Sequence, residues 1–137
     1  LDVVYTYASS VDSSPSSVPV MAAARRVFYL TVQHGQFYQG KPVIGYDLPG
    51  FGDELCGLPY LPRLIAKARA KLVGSMGDDI IYCCENDRRF FRDHGNIHPA
   101  DFLRVVWAAG DSDPKVYDYV RQRTLSVSSA VPDNEQT

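Results

Sequence analysis

What this chain lacks narrows its function more than what it contains. No apolar run approaches the ~18 residues that a bilayer-spanning helix needs. The most apolar segment, residues 27–32, is far shorter, so no membrane-spanning segment is expected. The three cysteines, Cys56, Cys83 and Cys84, are odd in number and irregular in spacing. That argues against a disulfide framework and for a reducing intracellular compartment. Neither G-x-x-x-x-G-K-[ST] nor G-x-G-x-x-G occurs, which excludes nucleotide loops of those types. No Ser-centred nucleophile motif is present, and no internal repeat. A net charge of −2 gives no overall attraction for nucleic acid, so no nucleic-acid partner is expected.

What remains reads as one globular domain. The length is 137 residues, with 45% hydrophobic and 22% charged side chains, which are ordinary globular values. Residues 61–74 carry the clearest local signals. Pro62 suits a helix start, where its missing N–H has no partner to lose. Leu61, Leu64, Ile65, Ala68 and Leu72 recur at the helical period, and Gly74 stands where a left-handed cap is expected. Arg63, Lys67 and Lys71, four apart, predict a solvated basic stripe. Arg69 lies on the flank of the apolar stripe, where its guanidinium is expected to be half-buried and paired. No acid occurs between Arg63 and Val73, so any partner must come from elsewhere in the fold.

Around this helix the chain divides simply. Residues 1–19 form a Ser/Pro-rich polar extension, too poor in apolar material to offset its ordering entropy. A first residue of Leu rather than Met reads as a processed N-terminus, and residues 18–26 loosely resemble an organellar, plastid-like transit region. Residues 19–34 predict a helix, with a strand over 27–32 as the competing reading. Residues 35–60, dense in Gly and Pro, predict a long loop or collar in which Tyr38, Tyr46, Phe51 and Leu55 pack on neighbours. Residues 78–84 read as a short strand or an extended connection. Asn86 is expected to cap a short helix through Phe90 and Phe91, closed by Gly95. His98-Pro99 opens a helix carrying Phe102, Leu103, Val106 and Trp107, ended by Gly110. Asp113-Pro114 opens another, with Val116, Tyr117 and Val120 inward, fading near Arg123. Residues 124–137 read as a flexible tail. The expected fold is mainly α: a small compact bundle of four to five helices over residues 20–123, with a long Gly/Pro-rich loop and at most a short strand.

Three constellations could carry chemistry. Cys56, Cys83, Cys84, His94 and His98 offer metal ligands, but adjacent cysteines rarely converge on one ion, so neither a metal site nor a cofactor is expected. Glu85, Asp87, Asp93, His94 and His98 offer acid/base groups. Asp93 and His94 are neighbours on a short helix and point to different faces, and His98 reads as a helix cap, so no catalytic residue is assigned. Arg63 and Lys67 on one helix, with Arg88, Arg89 and Arg92 on the next, would form an anion-binding cleft if the two helices pack together. Pairing with Glu54, Asp78, Asp79, Glu85 or Asp87 competes with that. The candidate ligand- or partner-binding set is Arg63, Lys67, Arg69, Arg88 and Arg89.

Several marks in residues 46–120 resemble a bacterial family known only as a domain of unknown function. They are Leu55-Cys56-Gly57, the Leu61-Pro62-Arg63 entry, and Lys67-Ala68-Arg69-Ala70 followed by Leu72 and Gly74. Asp87-Arg88-Arg89-Phe90, the Phe102-Leu103 helix and a terminal Asp/Val helix complete the likeness. The resemblance implies a compact helical domain and transfers no catalytic residue. The leading expectation is a non-catalytic accessory or interaction subunit of a larger protein assembly, held through its N-terminal extension and collar, with other protein subunits as partners. The alternatives are a binder of an anionic ligand through a Lys/Arg cleft, and a small enzyme with His94 or His98 as general base.

Overall fold

The helix around which the rest packs begins where the backbone turns sharply. A computed structural model describes residues 17–130, with side chains from 19 to 126. In it α1 spans Ser17–Thr31, α2 Leu61–Val73, α3 Glu85–Asp93, α4 Pro99–Ala109 and α5 Asp113–Ala130. Before α2 lie a 3-10 turn at Gly45–Asp47 and two short strands, β1 (Glu54–Leu55) and β2 (Leu58–Pro59). These strands pair antiparallel, with Glu54 opposite Pro59 and Leu55 opposite Leu58. Cys56 and Gly57 between them both have positive φ, 53° and 83°, as a two-residue hairpin turn of this twist requires. The fold is mainly α, as the sequence predicts.

Tyr60 precedes α2 in the left-handed region, and Pro62 is its second residue. Gly74 closes it at φ 79°, with the Gly74 and Ser75 N–H groups both donating to the Ala70 carbonyl. Only glycine enters that region without a steric cost. The five apolar positions expected to face inward are all buried. Each large one contributes about 1.5–3 kcal/mol by leaving water. α2 packs on α1, α4, α5 and the hairpin, and α4 packs on α1, α2 and α5. Phe28, Phe90, Phe91, Phe102, Leu103, Val106, Val116 and Val120 fill the space between.

Some local expectations change. The 27–32 segment is helical through Thr31, because Phe28 packs inward one helical turn after Ala24 and two after Met21. Residues 78–84 hold two turns and no strand. The third short helix starts at Glu85 with Cys84 at its cap position, not at Asn86, because Asp87 reaches back to the Cys84 N–H. α5 runs to Ala130, seven residues past Arg123, since no Gly or Pro interrupts it before Pro132. The first part of the expected tail is therefore helix. The remainder of the tail, and residues 1–16 of the expected extension, lie outside the described residues. In the collar, Leu55 packs against the core, whereas Tyr46 stands 94% exposed.

α5 presses on the loop between α3 and α4 at Gly95. There φ is +95°, and a Cβ would sit 2.6 Å from the Arg123 carbonyl oxygen. Replacing Gly95 by Ala combines a left-handed penalty with a backbone clash. The variant is expected to lose at least about 2 kcal/mol in a denaturant titration; an unchanged midpoint would mean α5 does not seat there.

Candidate functional site

On a helical wheel Lys67 lies about 120° from the middle of the apolar stripe of α2, a position that predicts solvent. The structure buries it instead. After Gly74 the chain doubles back along α2 and delivers Ile81, Cys84 and Asp87 onto its polar side. Ala70, nearly opposite the apolar stripe, is buried too, so α2 is covered almost all round. The expected solvated stripe does not exist: Lys67 is buried, Lys71 is half-buried, and Arg63 is half-buried against Phe51.

Lys67 and Asp87 form the centre. Their side chains are 6% and 0% exposed. The Lys67 Nζ lies 3.1 Å from both Asp87 oxygens and 3.1 Å from the Ile81 carbonyl oxygen. It also lies 3.4 Å from Cys84 Sγ. Asp87 accepts further hydrogen bonds from the Tyr60 hydroxyl, from the Cys83 N–H at 2.9 Å and from the Cys84 N–H at 3.4 Å. A buried charge is tolerated only with an opposite charge and a full set of hydrogen bonds. Here the ammonium uses all three of its donor directions, and the carboxylate is surrounded by donors. Two of the groups that serve Asp87 stand on left-handed backbone, Tyr60 at φ 75° and Cys83 at φ 73°.

Tyr60 is held beside the pair by its neighbours. Its N–H donates to the Asp53 carbonyl, and its ring stacks on Phe51 at 5.9 Å. Burial raises its phenol far above the ordinary value, and donation to Asp87 raises it further. Tyr82, buried and donating to the Pro99 carbonyl at 2.8 Å, is also raised, first by burial and then by the charges of Cys83 and Asp87.

The cluster reaches solvent through a cleft of about 200 Å³ lined by Tyr60, Arg63, Lys67, Asp79 and Cys84. A second cleft of about 260 Å³, lined by Arg89, Phe90, Asp93 and His94, shares Phe51, Tyr60 and Asn86 with it. Of the candidate binding set, then, Arg63 and Lys67 line one cleft and Arg89 the next. Arg89 also faces Glu85 at 3.6 Å on its own helix. Arg88 and Arg69 do not line either. Arg69 donates to Gly110 O and Asp113, tying α2 to the α4–α5 junction, the half-buried pairing its flank position predicts. At 37% and 38% exposure that pair contributes well under 1 kcal/mol after solvent screening. His94 stacks on Phe90 at 4.1 Å. His98 accepts the Ala100 N–H and so caps α4.

In the sequence Asp87 is one of five acids that could pair with the basic residues, and nothing marks Tyr60. No local pattern joins positions 60, 67, 84 and 87; only the return of the chain along α2 does.

Asp87→Asn would leave the Lys67 ammonium buried without a counter-charge, and is expected to cost about 3–5 kcal/mol in equilibrium unfolding. The double variant Lys67→Met/Asp87→Leu removes the unpaired charge but leaves the Tyr60 hydroxyl and the Cys83 and Cys84 N–H groups without their acceptor, so it should recover only part of that loss; full recovery would show the pair to be a mutual charge balance alone. Tyr60 and Tyr82 also set an alkaline limit. Their folded values are raised above the ordinary 10.0, so their contribution is complete below that pH. It is lost as pH climbs above it, where only the unfolded chain ionises. Tyrosinate absorbance should show these two phenols ionising only as the protein unfolds, and Tyr82→Phe should flatten the alkaline fall in stability.

No helix among the described residues is long and apolar enough to cross a membrane. No curated protein and no solved structure matches the chain. Residues 52–130 match the family described as Domain of unknown function (DUF5069). That segment is more than half of the chain and holds α2 to α5 together with Tyr60, Lys67, Cys84 and Asp87, so the protein belongs to the DUF5069 family.

Proposed function

We propose that this chain is a non-catalytic interaction domain, which joins a larger protein assembly through the surface formed by residues 27–51. One observation carries the reading. The exposed large apolar side chains among the described residues are Val27, Leu30, Val32, Phe37, Tyr38, Ile44, Tyr46, Phe51, Ile81 and Leu125. All but the last two precede residue 52, where the family match begins. Apolar surface concentrated in this way marks interaction sites in soluble proteins, and exposed aromatic side chains are favoured interface anchors.

The strip is held in place without being covered. Gln33 donates to the Val73 carbonyl at one end of α2, and Arg63 donates to the Pro49 carbonyl near the other. Between them, Val43 exchanges backbone hydrogen bonds with Ser75 and Gly77, and Gly45 donates to Asp79. The backbone is thereby pinned along the length of α2 while Phe37, Ile44 and Tyr46 point outward. Pinning before association reduces the ordering cost of binding. Residues 17–51 carry Arg25, Arg26 and Lys41 against the single acid Asp47, a balance that favours a partner with acidic groups around an apolar centre.

The reading is tested on the native chain. Isolated gently from its source, it is expected to elute with a mass well above a 15.3 kDa monomer. Phe37→Asp with Tyr46→Asp should return it to the monomer position, while thermal stability changes by less than about 0.5 kcal/mol as for other surface sites. Elution of the parent as a monomer would refute the proposal.

A further inference from the structure

The interaction reading leaves the Lys67 cluster unused, and that cluster holds a nucleophile. We propose that Cys84 is a reactive thiol that takes up carboxylate-bearing low-molecular-weight disulfides by thiol–disulfide exchange, with Lys67 beside the sulfur and Arg63 receiving the carboxylate. Cys84 is a free thiol, partly exposed, and it lines the 200 Å³ cleft with Tyr60, Arg63 and Lys67. The Lys67 ammonium lies 3.4 Å from its Sγ, and Cys84 stands at the cap of the nine-residue helix α3. Both place positive charge where the sulfur carries negative charge in the exchange. The nearest opposing charge, Asp87, is already matched by Lys67, Tyr60 and two backbone N–H groups.

Arg63 gives the cleft its preference for an anion. Its guanidinium lies over the Phe51 ring at 4.2 Å and donates to the Pro49 carbonyl. Among the described residues it has no carboxylate within ion-pair distance. Asp79 on the same rim is engaged by the Gly45 N–H at 2.8 Å. A carboxylate entering beside Cys84 therefore meets a guanidinium with donors to spare.

The step balances. The Cys84 thiol loses its proton to solvent, and the thiolate attacks one sulfur of the disulfide. The Cys84–S bond forms as the original S–S bond breaks, and the departing thiolate takes up a proton. One disulfide is consumed and one mixed disulfide is formed, with no change in overall oxidation state.

The chain contains its own control. Cys56 is exposed at the hairpin tip, and Cys83 is buried. Accessibility alone would therefore make Cys56 the faster thiol. The full-length protein is treated with oxidised glutathione under native conditions, and peptides are quantified by mass spectrometry. The mixed disulfide at Cys84 is expected to form about tenfold faster than at Cys56; a Cys56 rate equal to or above that of Cys84 overturns the proposal. The carboxylate preference is read separately with iodoacetate and iodoacetamide, which differ in charge and little in size. Their rate ratio should be several-fold higher at Cys84 than at Cys56, and Arg63→Gln should bring it to the Cys56 value. Equal ratios at the two thiols in the parent would overturn the role of Arg63.

Discussion

A lysine and an aspartate buried together set the terms for this fold. Once Lys67 is enclosed, something must bring a carboxylate to it, and the segment leaving the end of α2 does so with Asp87. That segment has to turn at Gly74, run back along the helix, and start α3 with Asp87 in its first turn. The positions of α3 and, beyond it, of α4 follow. Hydrophobic pairs often stabilise as much as buried ion pairs do, but here one would leave the Tyr60 hydroxyl and two N–H groups without an acceptor. The ionic pair adds a directional requirement: Asp87 must meet Tyr60, Lys67 and two specific N–H groups, and no slipped arrangement satisfies them all.

How much of this could be seen in the sequence depends on whether the signal is local. α2 and α4 are legible because cap, period and stop coincide within a dozen residues. Arg69 is legible as a paired flank residue for the same reason. Lys67 is misleading, because a helical wheel distinguishes two faces and assumes that one of them meets water. Here the second face is covered by chain that the wheel does not contain. The collar is legible as irregular, from its glycines and prolines. The exposure of Tyr46 is not, because an aromatic side chain in a loop carries no sign of whether a neighbour exists to receive it.

The chain divides by what its surfaces do. From residue 52 onward, within the family match, apolar side chains are mostly directed inward, and the four ion pairs among the described residues all lie there. Before it, α1 contributes Met21, Ala24 and Phe28 to the core and turns Val27 and Leu30 out. The collar then adds further apolar side chains without covering them. The preceding segment thus completes the core through α1 and then runs along α2 as a collar.

The left-handed backbone at Tyr60 and Cys83 has a further consequence, which concerns order of assembly. Each conformation costs roughly 1–2 kcal/mol on its own, and the hydrogen bonds that Tyr60 and Cys83 give to Asp87 offset part of it. A folding chain gains neither of those two bonds by adopting one conformation early. The entry to α2 and the entry to α3 should therefore lock in a single late event. Until then Lys67 remains in water, and the site exists either whole or not at all.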